Sequence, residues 1–231
     1  MGIVNDGQLP LEVRVFNGLQ DYATTLAAMR EWTAARQPDT TDQIWLLEHF
    51  PVLTLGQAGR PEHILVPSTI PIIQSDRGGQ VTYHAPGQLV AYVLLDLQRR
   101  GIGIKRLVEL LEQSVIDLLA LKGVIAERRI SAPGVYVANA KIAALGLRVR
   151  RGCTYHGLAL NVAMNLAPFA QINPCGYAGL RITQLADLVT PQPEVADVGQ
   201  TWVTVFSRLL AAHQQHSSST CSSSCNAPVS L

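Results

Sequence analysis

The feature that most constrains this chain is the stretch from Gly134 to Val162. Three runs there read as strands, Gly134 to Ala138, Lys141 to Arg150 and Cys153 to Val162, joined by the turns Asn139-Ala140 and Arg151-Gly152. Links that short reverse a chain but cannot carry a crossover, so the three strands must form an antiparallel meander. Cover for a sheet follows from the segment just upstream. Ile104, Leu107, Val108, Leu111, Val115, Leu118 and Leu119 recur at spacings of three and four, which gives one broad apolar helical face. Gly101 and Gly103 mark a break before it and Gly123 stops it.

The remaining elements follow in order. Leu11 to Phe16 alternates as a half-buried or edge strand, and Gln20 to Arg36 places Tyr22, Leu26, Met29 and Thr33 at helical spacing. Gln43 to His49 and Val52 to Leu55 read as paired strands around Phe50-Pro51, and Gly56 to Pro61 opens a loop. Ile70 to Gln74 leads into a glycine-rich stretch, after which Leu89 to Leu97 reads as a buried strand, although periodicity alone does not exclude a helix. A short helical turn is expected in Asn165 to Ile172, a sharp loop at Asn173 to Gly176, and a helix over Ile182 to Val189. The last helix, about Asp197 to Gln214, carries Val198, Trp202, Val205, Phe206, Leu209 and Leu210 on one face. The expectation is one domain over residues 1–214, followed by a Ser-rich disordered tail at 215–231.

Composition narrows the function classes. Apolar residues make up 48% of the 231 residues and charged residues 15%, which argues for a compact fold rather than a disordered or coiled-coil chain. A net charge of +1 lacks the basic excess of a nucleic-acid surface, and no nucleic-acid partner is expected. The start has no charged n-region or long apolar h-region, and the run Leu89 to Leu95 falls far short of the roughly 20 residues that span a bilayer. A cytoplasmic protein with no membrane partner is the expectation. Four cysteines, at 153, 175, 221 and 225, are too few and too unevenly placed for a disulfide scaffold. Cys221 and Cys225 have metal-like spacing, but no second pair lies nearby, so no zinc site is expected.

Chemistry concentrates in three places. Asp76 to Gln88, reading DRGGQVTYHAPGQ, has glycines that let a backbone approach something closely, with Arg77 and His84 offering a charge and a titratable group. Its alternative is a plain bulge or turn beside a strand. Cys175 sits between Pro174 and Gly176 on a tight turn. A free thiol is only a few per cent thiolate at neutral pH, so a nucleophilic Cys175 needs a nearby cation, histidine or helix N-terminus, and the other reading is an inert buried thiol. Lys141 stands among apolar neighbours, either as an edge lysine facing solvent or as a partly desolvated amine that activates a thiol. His84 and His156, in TYHA and TYHG, could each orient a carbonyl or serve as structural histidines. There is no Walker A loop and no H-E-x-x-H motif.

The blocks RGGQVTYHAPGQLVAYVLLDL, APGVYV, KIAALGLRVRRGCTYHGLALNV and NPCGYAGLRITQL, in that order, resemble the lipoyl(octanoyl) transferases, over about Ile44 to Leu188. The resemblance implies an α+β fold of mixed, largely antiparallel sheets flanked by helices, similar to the catalytic domain of lipoate and biotin protein ligases. It implies transfer of an octanoyl group from acyl carrier protein to a lysine of a lipoyl domain or a glycine-cleavage H protein, without ATP and with no cofactor. By the same resemblance Cys175 is the nucleophile and Lys141 its partner. The substrate-binding segments map onto Arg77, Gly78, Gly79, Gln80, Val81, Thr82, Tyr83 and His84, then Ala144, Leu145 and Gly146, then Gly157, Leu158 and Ala159. A monomer is expected.

One departure stands out. Family members usually read YHGPGQ where this chain has Ala85, and the added methyl forbids an easy positive φ. It either sits at negative φ or narrows the pocket. The rival reading is an ATP-dependent lipoate or biotin ligase, which needs phosphate contacts and magnesium but no nucleophilic thiol. The NPCG block argues against it.

Overall fold

The computed structural model describes residues 2–4, 9–177 and 179–222; for 2–4, Cys175 and 215–222 it describes the backbone alone. Eleven strands and three helices are present among them. The strands are β1 (Gly2–Val4), β2 (Leu11–Gln20), β3 (Asp42–His49), β4 (Val52–Leu55), β5 (Ile72–Gln74), β6 (Val81–His84), β7 (Gln88–Leu94), β8 (Glu127–Arg128), β9 (Val135–Val137), β10 (Ala140–Arg150) and β11 (Cys153–Asn161). The helices are α1 (Tyr22–Ala35), α2 (Ile104–Leu121) and α3 (Val195–Ser222).

The meander forms as its turns require. β9, β10 and β11 pair antiparallel in sequence, with Ala143 opposite Leu160 and Arg150 opposite Cys153. Both reversals use two residues at positive φ, Ala138 (44°) with Asn139 (71°) and Arg151 (51°) with Gly152 (78°), the mirror-image turn whose twist matches the strands it joins. The first turn therefore falls one residue earlier than Asn139-Ala140. The meander supplies three strands of an eight-stranded sheet ordered β1-β2-β3-β7-β11-β10-β9-β8, antiparallel throughout except for β2 beside β3. A second sheet, β5-β4-β6, lies apart from it.

β7 is central, and all its residues are buried because both faces of the large sheet are covered. Leu89, Ala91 and Val93 face α2 and α3, in a core completed by Leu107, Leu111, Leu118 and the stacked rings of Trp202 and Phe206. Val90, Tyr92 and Leu94 face α1 through Tyr22, Leu26 and Met29. Asp21 caps α1 by accepting from Thr24 N–H at 2.8 Å. The segment 104–121 is the expected helix, but Ile104 and Val108, counted in its apolar face, line a groove instead, while Glu112 and Ser114 are buried. Ser114 Oγ accepts from Trp202 Nε1 at 2.8 Å, which ties α2 to α3.

Three expectations are corrected. β3 and β4 do not pair with each other: β3 lies between β2 and β7, and β4 leaves for the small sheet, because Phe50-Pro51 redirects the chain rather than closing a hairpin. Ile182 to Val189 is not a helix apart from a 3-10 turn at Leu185–Asp187. Its start runs extended beside β10, where Lys141 N–H donates to the Arg181 carbonyl (2.8 Å) and Thr183 N–H to the Lys141 carbonyl (3.0 Å), so backbone partners come from a strand. The last helix reaches Ser222, beyond the expected end at Gln214 and into the segment read as tail; residues 223–231, with Cys225, lie outside the described residues, as does the Cys221 side chain. No helix among the described residues is long and apolar enough to cross a membrane.

Asp42, fully buried at the start of β3, holds the sheet to the loops beyond it. Arg36, Arg99 (2.7 Å) and Arg100 all donate to its carboxylate, and Asp96 N–H donates to it at 2.9 Å. Removing the one anion would leave buried cations unpaired. Asp42→Asn is expected to cost about 3–5 kcal/mol, read as a lower urea midpoint at unchanged slope.

Candidate functional site

The site lies where the large sheet faces the small one. Strand alternation sends Val90 and Tyr92 of β7, Ala144 and Gly146 of β10, and Ala159 of β11 toward the gap, and Thr82 and His84 of β6 toward it from the other side. Tyr22 of α1 and His156 close one end, and Arg77, Gly79 and Gln80 form the rim. The result is a narrow slot with mostly apolar walls. Small residues keep it open and let backbones approach closely: a Cβ on Gly146 would stand 2.9 Å from the carbonyl oxygen of Gly78 in the loop, and one on Gly157 2.0 Å from that of Ala91 on the neighbouring strand.

Arg77 is 8% exposed, and its guanidinium braces the loop. Nη2 donates to the Thr54 and Gln80 carbonyls at 2.7 and 2.8 Å, and Nη1 donates to the Gly78 carbonyl at 2.9 Å. Gly78 N–H donates in turn to the Leu147 carbonyl of β10 at 3.0 Å. Asp76 is a second tie: it accepts from Tyr155 Oη (2.6 Å), His156 Nε2 (2.9 Å) and Arg30 Nε (3.0 Å). Burial pushes the Asp76 carboxyl up, but those hydrogen bonds outweigh it and hold the group well below the usual carboxylate range. His156 takes a positive φ of 62° there, a conformation costing roughly 1–3 kcal/mol.

Burial holds the slot's histidines, His84 and His156, below the ordinary imidazole value. Gln88 Nε2 donates to the Tyr83 carbonyl and to Asn161 Oδ1, so its Oε1 is free to accept from His84 Nδ1–H at 2.8 Å. For His84 burial is the largest cause, and the neighbouring Arg77 charge and the nearby His49 ring act the same way. Behind it His49 Nδ1–H donates to the Gln20 carbonyl at 2.9 Å, leaving Nε2 to accept from Tyr92 Oη at 2.7 Å.

A groove continues from the slot, sharing Gly79, Gln80, Leu145 and Gly146 as walls and adding Gly78, Pro133 and Lys141. Lys141 is not a solvent-facing edge lysine. It is 4% exposed, donates from Nζ to the Pro133 carbonyl at 2.9 Å, and lies 5.3 Å from the centroid of the Tyr136 ring. Gly134, at φ 137°, makes the room: a Cβ there would come 2.8 Å from Lys141 Cε. Glu112 accepts from Gly134 N–H at 2.9 Å and fixes that backbone to α2. Cys175 lies on the 3-10 turn Pro174–Gly176, closed by Gly176 N–H donating to the Asn173 carbonyl at 2.9 Å. That turn packs on the slot's rim, with the Cβ position of Gly176 3.4 Å from Gln80 Cγ.

The three binding segments thus converge, with two exceptions among their residues. Gly78 lines the groove rather than the slot, and Tyr83 points to the opposite face of β6, edge-on to Phe169 at 5.4 Å. Ala85 packs in that same cluster, is absent from the slot wall and keeps a negative φ, so it does not narrow the slot. The turn's positive φ falls on Gly87 (84°), where a Cβ would meet the Ala163 oxygen at 2.0 Å. Sequence reading missed Tyr22, Val90, Tyr92, Gly134 and Glu112. Tyr92 had a signal, a hydroxyl in an otherwise aliphatic buried run; Tyr22 had none, since only tertiary packing brings α1 to the slot.

Residues 21–207 match the family described as lipoyl protein ligase A/B catalytic domain. An octanoyltransferase of Klebsiella pneumoniae (strain 342) is 59% identical over 194 residues, covering 84% of this chain and 87% of that protein. One of Pseudomonas putida (strain W619) is 62% identical over 174 residues, covering 75% and 81%. Among solved structures, a bi-partite lipoate protein ligase from Thermoplasma acidophilum superposes with a TM-score of 0.69 at 17% identity, covering 87% of this chain and 83% of that one. The biotin protein ligase of Aquifex aeolicus gives 0.55 at 13%, covering 88% and 71%. These last two show a shared fold.

The buried histidines make stability pH-dependent. Burial pushes His49 down to about 4 from an unfolded value near 6.5, so between those values the unfolded chain binds more protons and stability rises with pH. It is complete above about pH 6.5 and falls toward pH 4, by up to roughly 3 kcal/mol from His49 alone. Urea midpoints across that window are expected to show the slope, and His49→Gln to flatten it.

Proposed function

This chain belongs to the octanoyltransferases within the lipoyl protein ligase A/B catalytic domain family, and on that premise we propose that it acylates a lipoyl domain through a thioester on Cys175. The donor is octanoyl-acyl carrier protein and the acceptor a lysine of a lipoyl-domain protein, with the enzyme acting as a cytoplasmic monomer. The octanoyl chain lies in the slot, where each buried methylene contributes about 0.8 kcal/mol. Apolar surface from Val90, Ala144, Ala159 and the Tyr22 and Tyr92 rings suits it.

In the first step the Cys175 thiolate attacks the donor carbonyl, a carbon–sulfur bond forms, and the carrier's thiolate leaves and takes a proton. In the second the acceptor amine attacks the acyl-enzyme, gives up a proton and expels Cys175. Lys141 stabilises the thiolate before the first step and passes protons in both. Backbone amides along the glycine-bearing segments stabilise the tetrahedral oxyanion. Thioester exchange is nearly isoenergetic and the amide product lies downhill, so ATP is not required.

The observation that carries this reading is Lys141: a buried amine in a groove continuous with an apolar slot, with Gln80 of their shared wall packed against the turn that bears Cys175. Incubation with octanoyl-acyl carrier protein and no ATP is expected to add one octanoyl mass to Cys175. Activity that appears only with ATP and free octanoate, without the adduct, would establish the ligase alternative instead. Lys141→Ala is expected to slow acylation and raise the thiol's apparent pKa, followed as alkylation rate against pH; an unchanged profile removes Lys141 from that role.

A further inference from the structure

The slot and the Lys141 groove lead into a third depression that the acyl chain does not use. It shares Ser131, Ala132 and Tyr177 with the groove and adds Arg129, Tyr136 and Arg181. Two arginines line it, and among the described residues no carboxylate does. Ile130, 99% exposed, and Tyr177, 52% exposed, leave it open to solvent. Arg129 is held in place, with its guanidinium stacked 4.5 Å from the Tyr136 ring centroid and donating to Asn139 Oδ1 and to Glu127 at 3.4 Å. Arg181 is exposed and makes no ion pair or side-chain hydrogen bond among the described residues. The ring that carries Arg129 also carries Lys141, 5.3 Å from its centroid, so the arginine stands one aromatic ring away from the amine assigned to the chemistry.

We propose that this third depression receives the pantetheine arm of the donor thioester, with Arg129 and Arg181 holding its phosphodiester. The inference rests on the transfer reading above. If the acyl chain occupies the slot and the thioester sulfur stands at the Lys141 groove, the leaving arm must extend away from the slot. Among the described residues, the shared walls continue past Ser131, Ala132 and Tyr177 to the two arginines. The arm is flexible, and it ends in an anion. Arginine donors suit a phosphodiester, and charge-assisted hydrogen bonds of this kind are the strong ones.

The test compares octanoyl-pantetheine, octanoyl-4′-phosphopantetheine and octanoyl-acyl carrier protein as acyl donors to Cys175, scored as kcat/KM for adduct formation. The wild type is expected to prefer the phosphorylated small donor over the unphosphorylated one by about tenfold or more. That ratio is expected to fall toward unity in Arg181→Glu and in Arg129→Gln. A ratio between two donors is insensitive to a general loss of folded enzyme. A wild-type ratio of one, or a ratio unchanged in both variants, overturns the proposal. So does a variant defect seen only with the carrier protein, which would place the arginines against that protein's surface instead. Failure of octanoyl-pantetheine to acylate wild-type Cys175 at all, with no adduct from the carrier protein, would overturn the transfer reading itself.

Discussion

The hydrogen bond from Gly78 N–H to the Leu147 carbonyl, 3.0 Å long, joins the glycine-rich loop to the large sheet, and the slot exists only because that junction is tight. It depends on Gly146, whose missing side chain lets the loop backbone approach β10, and on Arg77, whose guanidinium gathers the carbonyls of Thr54, Gly78 and Gln80 from below. Asp76 pins the other end of the same loop to β11 and α1. Polar atoms thus do the holding and apolar atoms the lining. A buried arginine satisfied by backbone oxygens is a costly way to order a loop, but it fixes donor geometry more rigidly than packing alone.

Lys141 shows the same logic on the chemical side. A buried amine is accommodated by removing a Cβ at Gly134 and offering the Pro133 carbonyl and the Tyr136 ring as partners. Glu112 anchors that backbone from within the apolar face of α2, which explains why a helix that otherwise covers the core has a buried carboxylate in its middle. The α2 face is therefore divided between core cover, through Leu107 and Leu111, and groove wall, through Ile104 and Val108. Structural and functional demands meet on one helix.

Local chemistry by itself determined a great deal about this protein. The period of the strands from 134 to 162 and their two-residue reversals settled the meander, and the apolar stripe from 104 to 119 settled α2, whereas the three segments that converge on the slot were identified by the resemblance to a known family. The meander and the stripe rest on interactions within a few residues, which a sequence displays directly. Only the tertiary structure decided that β3 and β4 part company into different sheets, that the chain at 181–183 runs extended beside β10 before a 3-10 turn at Leu185–Asp187, and that Ala85 turns away from the slot. It also decided that Tyr22 reaches the slot from α1 and that Lys141 is enclosed rather than exposed. Those outcomes turn on which distant backbone groups and surfaces satisfy one another. Such pairing is a property of the packed chain, and no local period records it.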